Sequence, residues 1–141
     1  MILNLPLSEA SAIIKEKSGQ VVSLKAVGAK TVRVGYDAAV ELPIVGKVQK
    51  RVDIDATIEK LEGEDLHLVY AAQGAVVSVA IKGLLAAASR SKYKNLLESR
   101  DHNRLVVHLG QIDEVHNALR QIDVKNIELK NDCAVVSFLL K

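Results

Sequence analysis

The chain has 141 residues, 49% of them hydrophobic but only 3% aromatic, and its net charge is +2. That length suits one domain, residues 1–141, with an aliphatic core that takes about two-thirds of the unfolded surface out of water. The small charge does not by itself point to nucleic acid, the lone Cys133 excludes an internal disulfide framework, and no signal-peptide pattern opens the sequence.

Residues 2–7 read as a short strand. Ser8 is a good N-cap and Glu9 suits a first turn, so a helix is expected to about Lys17, with Ala10, Ile13 and Ile14 inward and Gly19 as its end. Residues 20–27 read as a strand, and residues 28–30 turn the chain.

Residues 31–42 alternate strongly. Val32, Val34, Tyr36, Ala38, Val40 and Leu42 fall on one face, and Arg33, Asp37 and Glu41 on the other. Residues 43–46 turn, and residues 47–61 alternate again with Val52, Ile54, Ala56 and Ile58 inward. After a polar turn at residues 62–65, Leu66, Leu68 and Tyr70 give a further inward row. Strands this long exceed the usual five or six residues, and long strands with one apolar face twist and curl.

Residues 74–89, GAVVSVAIKGLLAAAS, are the most apolar stretch and carry one charge, Lys82. Burying Val76, Val77, Val79, Ile81, Leu84 and Leu85 is worth about 9–18 kcal/mol together, so the rest of the chain must cover them. As a helix the stretch rises about 24 Å, short of a hydrocarbon core of about 30 Å. Ala and Leu in its second half favour helix, while the β-branched run at 76–81 leaves a strand reading open.

Residues 90–104 read as polar and irregular. A strand at 105–109, a helix at 110–121 and a hairpin about Asn131-Asp132 complete the chain. The last strand is apolar on both faces and therefore belongs in a covered or central position. Strand, short helix and two strands at residues 2–42 recur in the same order at 105–140, as repeated topology only.

Chemistry-bearing motifs are sparse. Asp53 and Asp55 share a strand face near Glu59, a pattern that could serve a metal or acid–base pair but reads first as the solvated face of an amphipathic strand. His67, His102, His108 and His116 show no ligand spacing, and His67 and His108 sit at outward strand positions. No nucleophile elbow and no phosphate loop is present, so neither an enzyme nor a cofactor is expected. Arg90, Lys92, Lys94, Arg100 and Arg104 concentrate basic charge, with Tyr93 as a thin stacking platform. A solvated connection explains them better than nucleic acid does. Pro43, Ile44 and Val45 form an apolar turn followed by Lys47, where turns are usually polar. Such a tip is expected first to fold back onto the core, and otherwise suits a membrane surface or a partner.

The order of elements resembles the tubular lipid-binding superfamily, especially its small single-domain bacterial members. The likeness is carried by LPLSEASAIIKEKSG at 5–19, the strand pair at 31–61, the apolar stretch at 74–89 and LVVHLGQIDEVHNALRQIDVKNIEL at 105–129. The resemblance implies a curved sheet around a helix with an apolar groove for acyl chains.

The expected fold is α+β: a long curved antiparallel sheet wrapped around the 74–89 helix, with two smaller helices. The expected function is non-enzymatic binding of a lipid or other apolar ligand, lined by Val34, Tyr36, Ala38, Val40, Ile54, Leu68, Tyr70, Ile81, Leu84 and Leu85. The alternative is an interaction module acting through Pro43, Ile44, Val45 and Lys47, or through self-association as a homo-oligomer. A cytoplasmic site is expected if Met1 is the native start, and the cell envelope if a leader was removed.

Overall fold

The computed structural model describes residues 1–19, 21–71 and 95–141. They form an α+β fold in which every described strand pair is antiparallel. The stretch 74–89, expected as the central helix, lies outside the described residues, and with it Ile81, Leu84 and Leu85.

The chain opens with β1 (Ile2–Pro6) and α1 (Leu7–Ser18). Ser8 is not the cap. Pro6 occupies that position at φ −59°, a value its ring already favours, and Ser8 falls inside the first turn. One of the helix's unpaired donors, Leu7 N–H, is met from elsewhere, by the Asp132 carbonyl at 2.9 Å. Leu7, Ala10 and Ile14 turn inward while Ile13 is exposed. Gly19 ends the helix at φ +76° and donates its N–H to Lys15, as expected.

Then come β2 (Val22–Ala26), β3 (Thr31–Leu42), β4 (Gly46–Glu62) and β5 (Asp65–Tyr70). Past residue 94 follow β6 (Leu97–Arg100), β7 (Arg104–His108), α2 (Asp113–Leu119), β8 (Ile122–Lys130) and β9 (Cys133–Leu140). A six-stranded sheet runs β2-β3-β4-β5-β7-β6, and a three-stranded sheet runs β1-β9-β8. The doubly apolar β9 is therefore central, as its sequence required.

Two expectations need correcting. The end of the 90–104 segment is not irregular, because β6 pairs with β7 as a hairpin. Its turn uses His102 at φ +62° and Asn103 at φ +58°, and Asn and His are among the residues that tolerate this region best. The helix expected at 110–121 is shorter. Residues Leu109–Gln111 form a 3-10 turn, and α2 begins only at Asp113. The Glu64 carboxylate lies where a side chain at Gly110 would stand, and would have to move aside for one.

The repeated topology is real, and it is exchanged between sheets. In the first unit, β1 and α1 precede the β2–β3 hairpin; in the second, β7 and α2 precede the β8–β9 hairpin. Yet β1 pairs with β9, and β7 pairs with β5. Each unit's first strand lies in the sheet that holds the other's hairpin, so neither sheet can be cut out without losing a strand of its own.

The joint is hydrogen-bonded. Besides taking Leu7 N–H on its carbonyl, Asp132 accepts Ala26 N–H on its carboxylate at 3.1 Å. Leu129 N–H reaches the Ala29 carbonyl at 2.8 Å, and the Lys30 ammonium donates to Asn126 Oδ1 at 2.8 Å and to the Ile127 carbonyl. The β2–β3 turn thus caps the outer edge of β8.

Tyr36, Val52, Ile54 and Ala56 are buried, and the register places all four on one face of the six-stranded sheet. The Tyr36 hydroxyl is buried without a hydrogen-bond partner among the described residues. Burial pushes its pKa up to about 12. A phenol whose folded pKa lies above its unfolded value of about 10 gives stability that is fully present below pH 10. That stability is lost as pH rises toward 12. Tyr36→Phe should therefore leave neutral stability unchanged or raised by about 1 kcal/mol, since an unpaired buried hydroxyl is removed. It should also flatten the loss of stability between about pH 10 and 12. Denaturant titrations of both chains at neutral and alkaline pH check this.

Candidate functional site

The β3–β4 hairpin outruns the sheet that holds it. β2 pairs with β3 only as far as Tyr36, and β5 pairs with β4 only from Ala56 onward. Beyond Tyr36 and Val52, six further pairs run from Asp37↔Arg51 to Leu42↔Gly46, joined to no third strand among the described residues. At about 3.3 Å per residue this arm projects about 20 Å.

The arm carries Asp37, Lys47, Gln49 and Arg51 on the polar face, opposite Tyr36 and Val52 in register. Its root is pinned on the polar face. The Arg51 guanidinium donates to Ser23 Oγ at 2.5 Å and lies 3.8 Å from Asp53 and 4.0 Å from Asp37. Gly35 permits this, because a Cβ there would fall within 2.7 Å of Arg51, Asp53 and Ser23 side-chain atoms.

At the tip, residues 43–45 turn and Gly46 closes the turn at φ +83°, a conformation that favours glycine. Ile44 is 97% exposed and Val45 69% exposed, with Pro43 and Lys47 also exposed. The tip does not fold back onto the core.

The candidate lining residues divide. Tyr36 and Ile54 are buried, and Val34, Leu68 and Tyr70 are half-buried. Register puts Val34, Tyr36, Ile54, Leu68 and Tyr70 on the same face. Ala38 and Val40 belong to the arm instead. A hollow of about 390 Å³ lies elsewhere, between α2, the β4–β5 turn and the start of β8, walled by Leu61, Leu119, Ile122 and Val124 but rimmed with charge.

The carboxylates each meet a cation. Asp55 takes a 2.8 Å hydrogen bond from Arg33, whose guanidinium holds its carboxyl below the usual range. Asp53 has Arg51, and Glu59 has Arg104 at 3.7 Å. These are exposed pairs on a solvated sheet face and stabilise little. Arg100 pairs with Glu98 at 2.6 Å. Arg90, Lys92, Tyr93 and Lys94 lie outside the described residues.

One arrangement escapes sequence reasoning. His108, expected at a solvent position, is half-buried and bonded to Asp65 at 2.7 Å, and His116 is bonded to Glu64 at 2.6 Å. These neighbouring turn carboxylates tie the β4–β5 turn to β7 and α2. The polar turn is visible in the sequence, but its partners lie 43 and 52 residues away. Among the described residues, no three His, Cys, Asp or Glu side chains converge as a metal site would need. No helix among them is long and apolar enough to cross a membrane. No protein-family model, no curated protein and no solved structure matches the chain.

Proposed function

We propose that this chain is a docking module whose β3–β4 arm enters an anionic lipid surface by its tip. The observation that carries this is the exposure of Ile44 and Val45 at the end of a projecting two-stranded arm. Sinking both side chains into an apolar phase is worth about 3–6 kcal/mol. Lys47 beside them adds about 1 kcal/mol at an anionic surface. The sum is consistent with weak, reversible binding once ordering costs are met.

The buried sheet face favours surface docking over an internal lipid groove, since Tyr36, Val52, Ile54 and Ala56 have little exposed area left to offer a ligand. A curled sheet belongs to the same reading. The bulge between Ile58 and Lys60 supports it, because an extra residue on one strand bends it.

Vesicle flotation tests the proposal. The chain should float with phosphatidylserine-containing vesicles and less with pure phosphatidylcholine, and added salt should weaken it. A chain that floats with neither overturns it.

A further inference from the structure

Among the described residues the two sheets have four edge strands: β2 and β6 on the larger, β1 and β8 on the smaller. Exposed edges are templates for pairing, and folded proteins usually blunt them. Three of the four are blunted. Helix α1 packs on β2. Strand β6 is four residues long and reads Leu-Glu-Ser-Arg, a short charged edge of the kind that discourages pairing. Strand β8 is capped through Leu129 N–H and the Lys30 ammonium.

Strand β1 has no such protection among the described residues. From Met1 to Ser8 no side chain carries charge. Met1, Ile2 and Leu3 are 59%, 68% and 54% exposed.

Its hydrogen-bond directions are fixed by two observations at opposite ends. Met1 and Phe138 exchange both main-chain bonds, and Leu7 N–H goes to the Asp132 carbonyl. In an antiparallel ladder such pairs alternate with residues whose groups point away. Odd-numbered residues therefore bond to β9, and Ile2 and Asn4 aim their N–H and C=O groups at the open edge.

We infer that β1 pairs antiparallel with β1 of a second copy, about a twofold axis at Leu3. In that register Ile2 of each copy exchanges both main-chain bonds with Asn4 of the other, so all the outward groups of Ile2 and Asn4 are used. Sliding by two residues, the next step that keeps outward groups facing each other, sets Ile2 against Pro6, which has no N–H to give, or Ile2 against Ile2, which leaves Asn4 unpaired. Only the register about Leu3 uses every outward group of Ile2 and Asn4. At the axis Leu3 meets its own copy, where a charged residue would meet like charge. Met1 and Leu5 of the two copies flank it on the same face, which continues through Val136 and Phe138. The result is one sheet in the order β8-β9-β1-β1-β9-β8. The one charge on this edge, the Met1 ammonium, already donates to the Phe138 carbonyl, so an edge without charged side chains and with a self-complementary register fits a second copy better than a charged peptide.

Sedimentation velocity of the full chain over a wide concentration range tests this. The wild type is expected to show a monomer–dimer equilibrium. Asn4→Pro removes a donor that the monomer does not use, so it should keep the wild-type circular dichroism and melting temperature. It should weaken the dimer about 30-fold, for the two hydrogen bonds lost. Leu3→Lys and Leu3→Glu should each be monomeric alone and form a heterodimer when mixed. A wild type monomeric at its highest soluble concentration overturns the inference. So does an Asn4→Pro chain that dimerises like the wild type, or an equimolar mixture of the Leu3→Lys and Leu3→Glu chains that stays monomeric. Because the tip belongs to the other sheet and Ile44 is 97% exposed, Ile44→Asp should leave the dimer unchanged, and the two proposals stand or fall separately.

Discussion

Ile44→Asp is expected to abolish vesicle flotation while leaving the melting temperature where it was. The two halves of that result have separate causes. Ile44 is 97% exposed and supports nothing in the fold, so its replacement should change stability by no more than about 0.5 kcal/mol. At a lipid surface the same change removes about 1.5–3 kcal/mol of insertion energy, a loss of about 10- to 150-fold in binding. The new carboxylate must in addition leave water or hold the tip off an anionic surface. Val45→Asp should act in the same direction, with a smaller effect because Val45 is less exposed. Flotation and a thermal melt on the same preparation separate the two readouts. Unchanged flotation by the Ile44→Asp chain would show that the tip is not the contact.

The second large effect lies at the other end of the hairpin. Ile54→Ala should destabilise the protein by about 2–5 kcal/mol, because Ile54 is only 4% exposed and its loss leaves a cavity. At about 2–4 °C per kcal/mol for a chain of this size, the melting temperature should fall by about 4–20 °C. This change also separates a packed sheet face from a ligand groove. On a packed face the cost is a cavity. On the wall of an open groove Ile54 would already be half solvated, the cost would stay under about 1 kcal/mol, and bound apolar ligand would restore it. Equilibrium urea unfolding with and without a fatty acid reads both.

The strands are legible because alternation is a local signal. Val32, Val34 and Tyr36 against Arg33 and Asp37 place β3 without knowledge of its neighbours. Asn131 and Asp132 announce their turn, and both adopt positive φ, at 52° and 54°. The helix start is misplaced by sequence because Ser8 is a good cap in isolation. What decides the start is Pro6 before it and the Asp132 carbonyl arriving from more than a hundred residues away. The β6 strand is hidden for a related reason: Leu-Glu-Ser-Arg has little apolar signal and exists by pairing with β7.

At the candidate site, the apolar turn can be read from Pro43, Ile44 and Val45, but its reach cannot. Projection depends on where β2 and β5 stop pairing, which is a property of the sheet and not of the hairpin's own residues. Alternation alone assigns Ala38 and Val40 to a lining for that reason. Their pattern matches that of Tyr36, yet they stand past the last rung that β2 supports. The histidine–carboxylate pairs are out of reach because long-range contacts leave no local pattern.

Insertion of the arm's tip can be read directly, because the chain has no Trp. Ile44→Trp places a single indole at the tip, where it touches nothing in the fold. With phosphatidylserine-containing vesicles its emission should shift to the blue and be quenched by lipids brominated on their acyl chains, while remaining water-like without vesicles. Emission that stays water-like, and is untouched by brominated lipid at vesicle concentrations well above those used for flotation, contradicts docking through the tip.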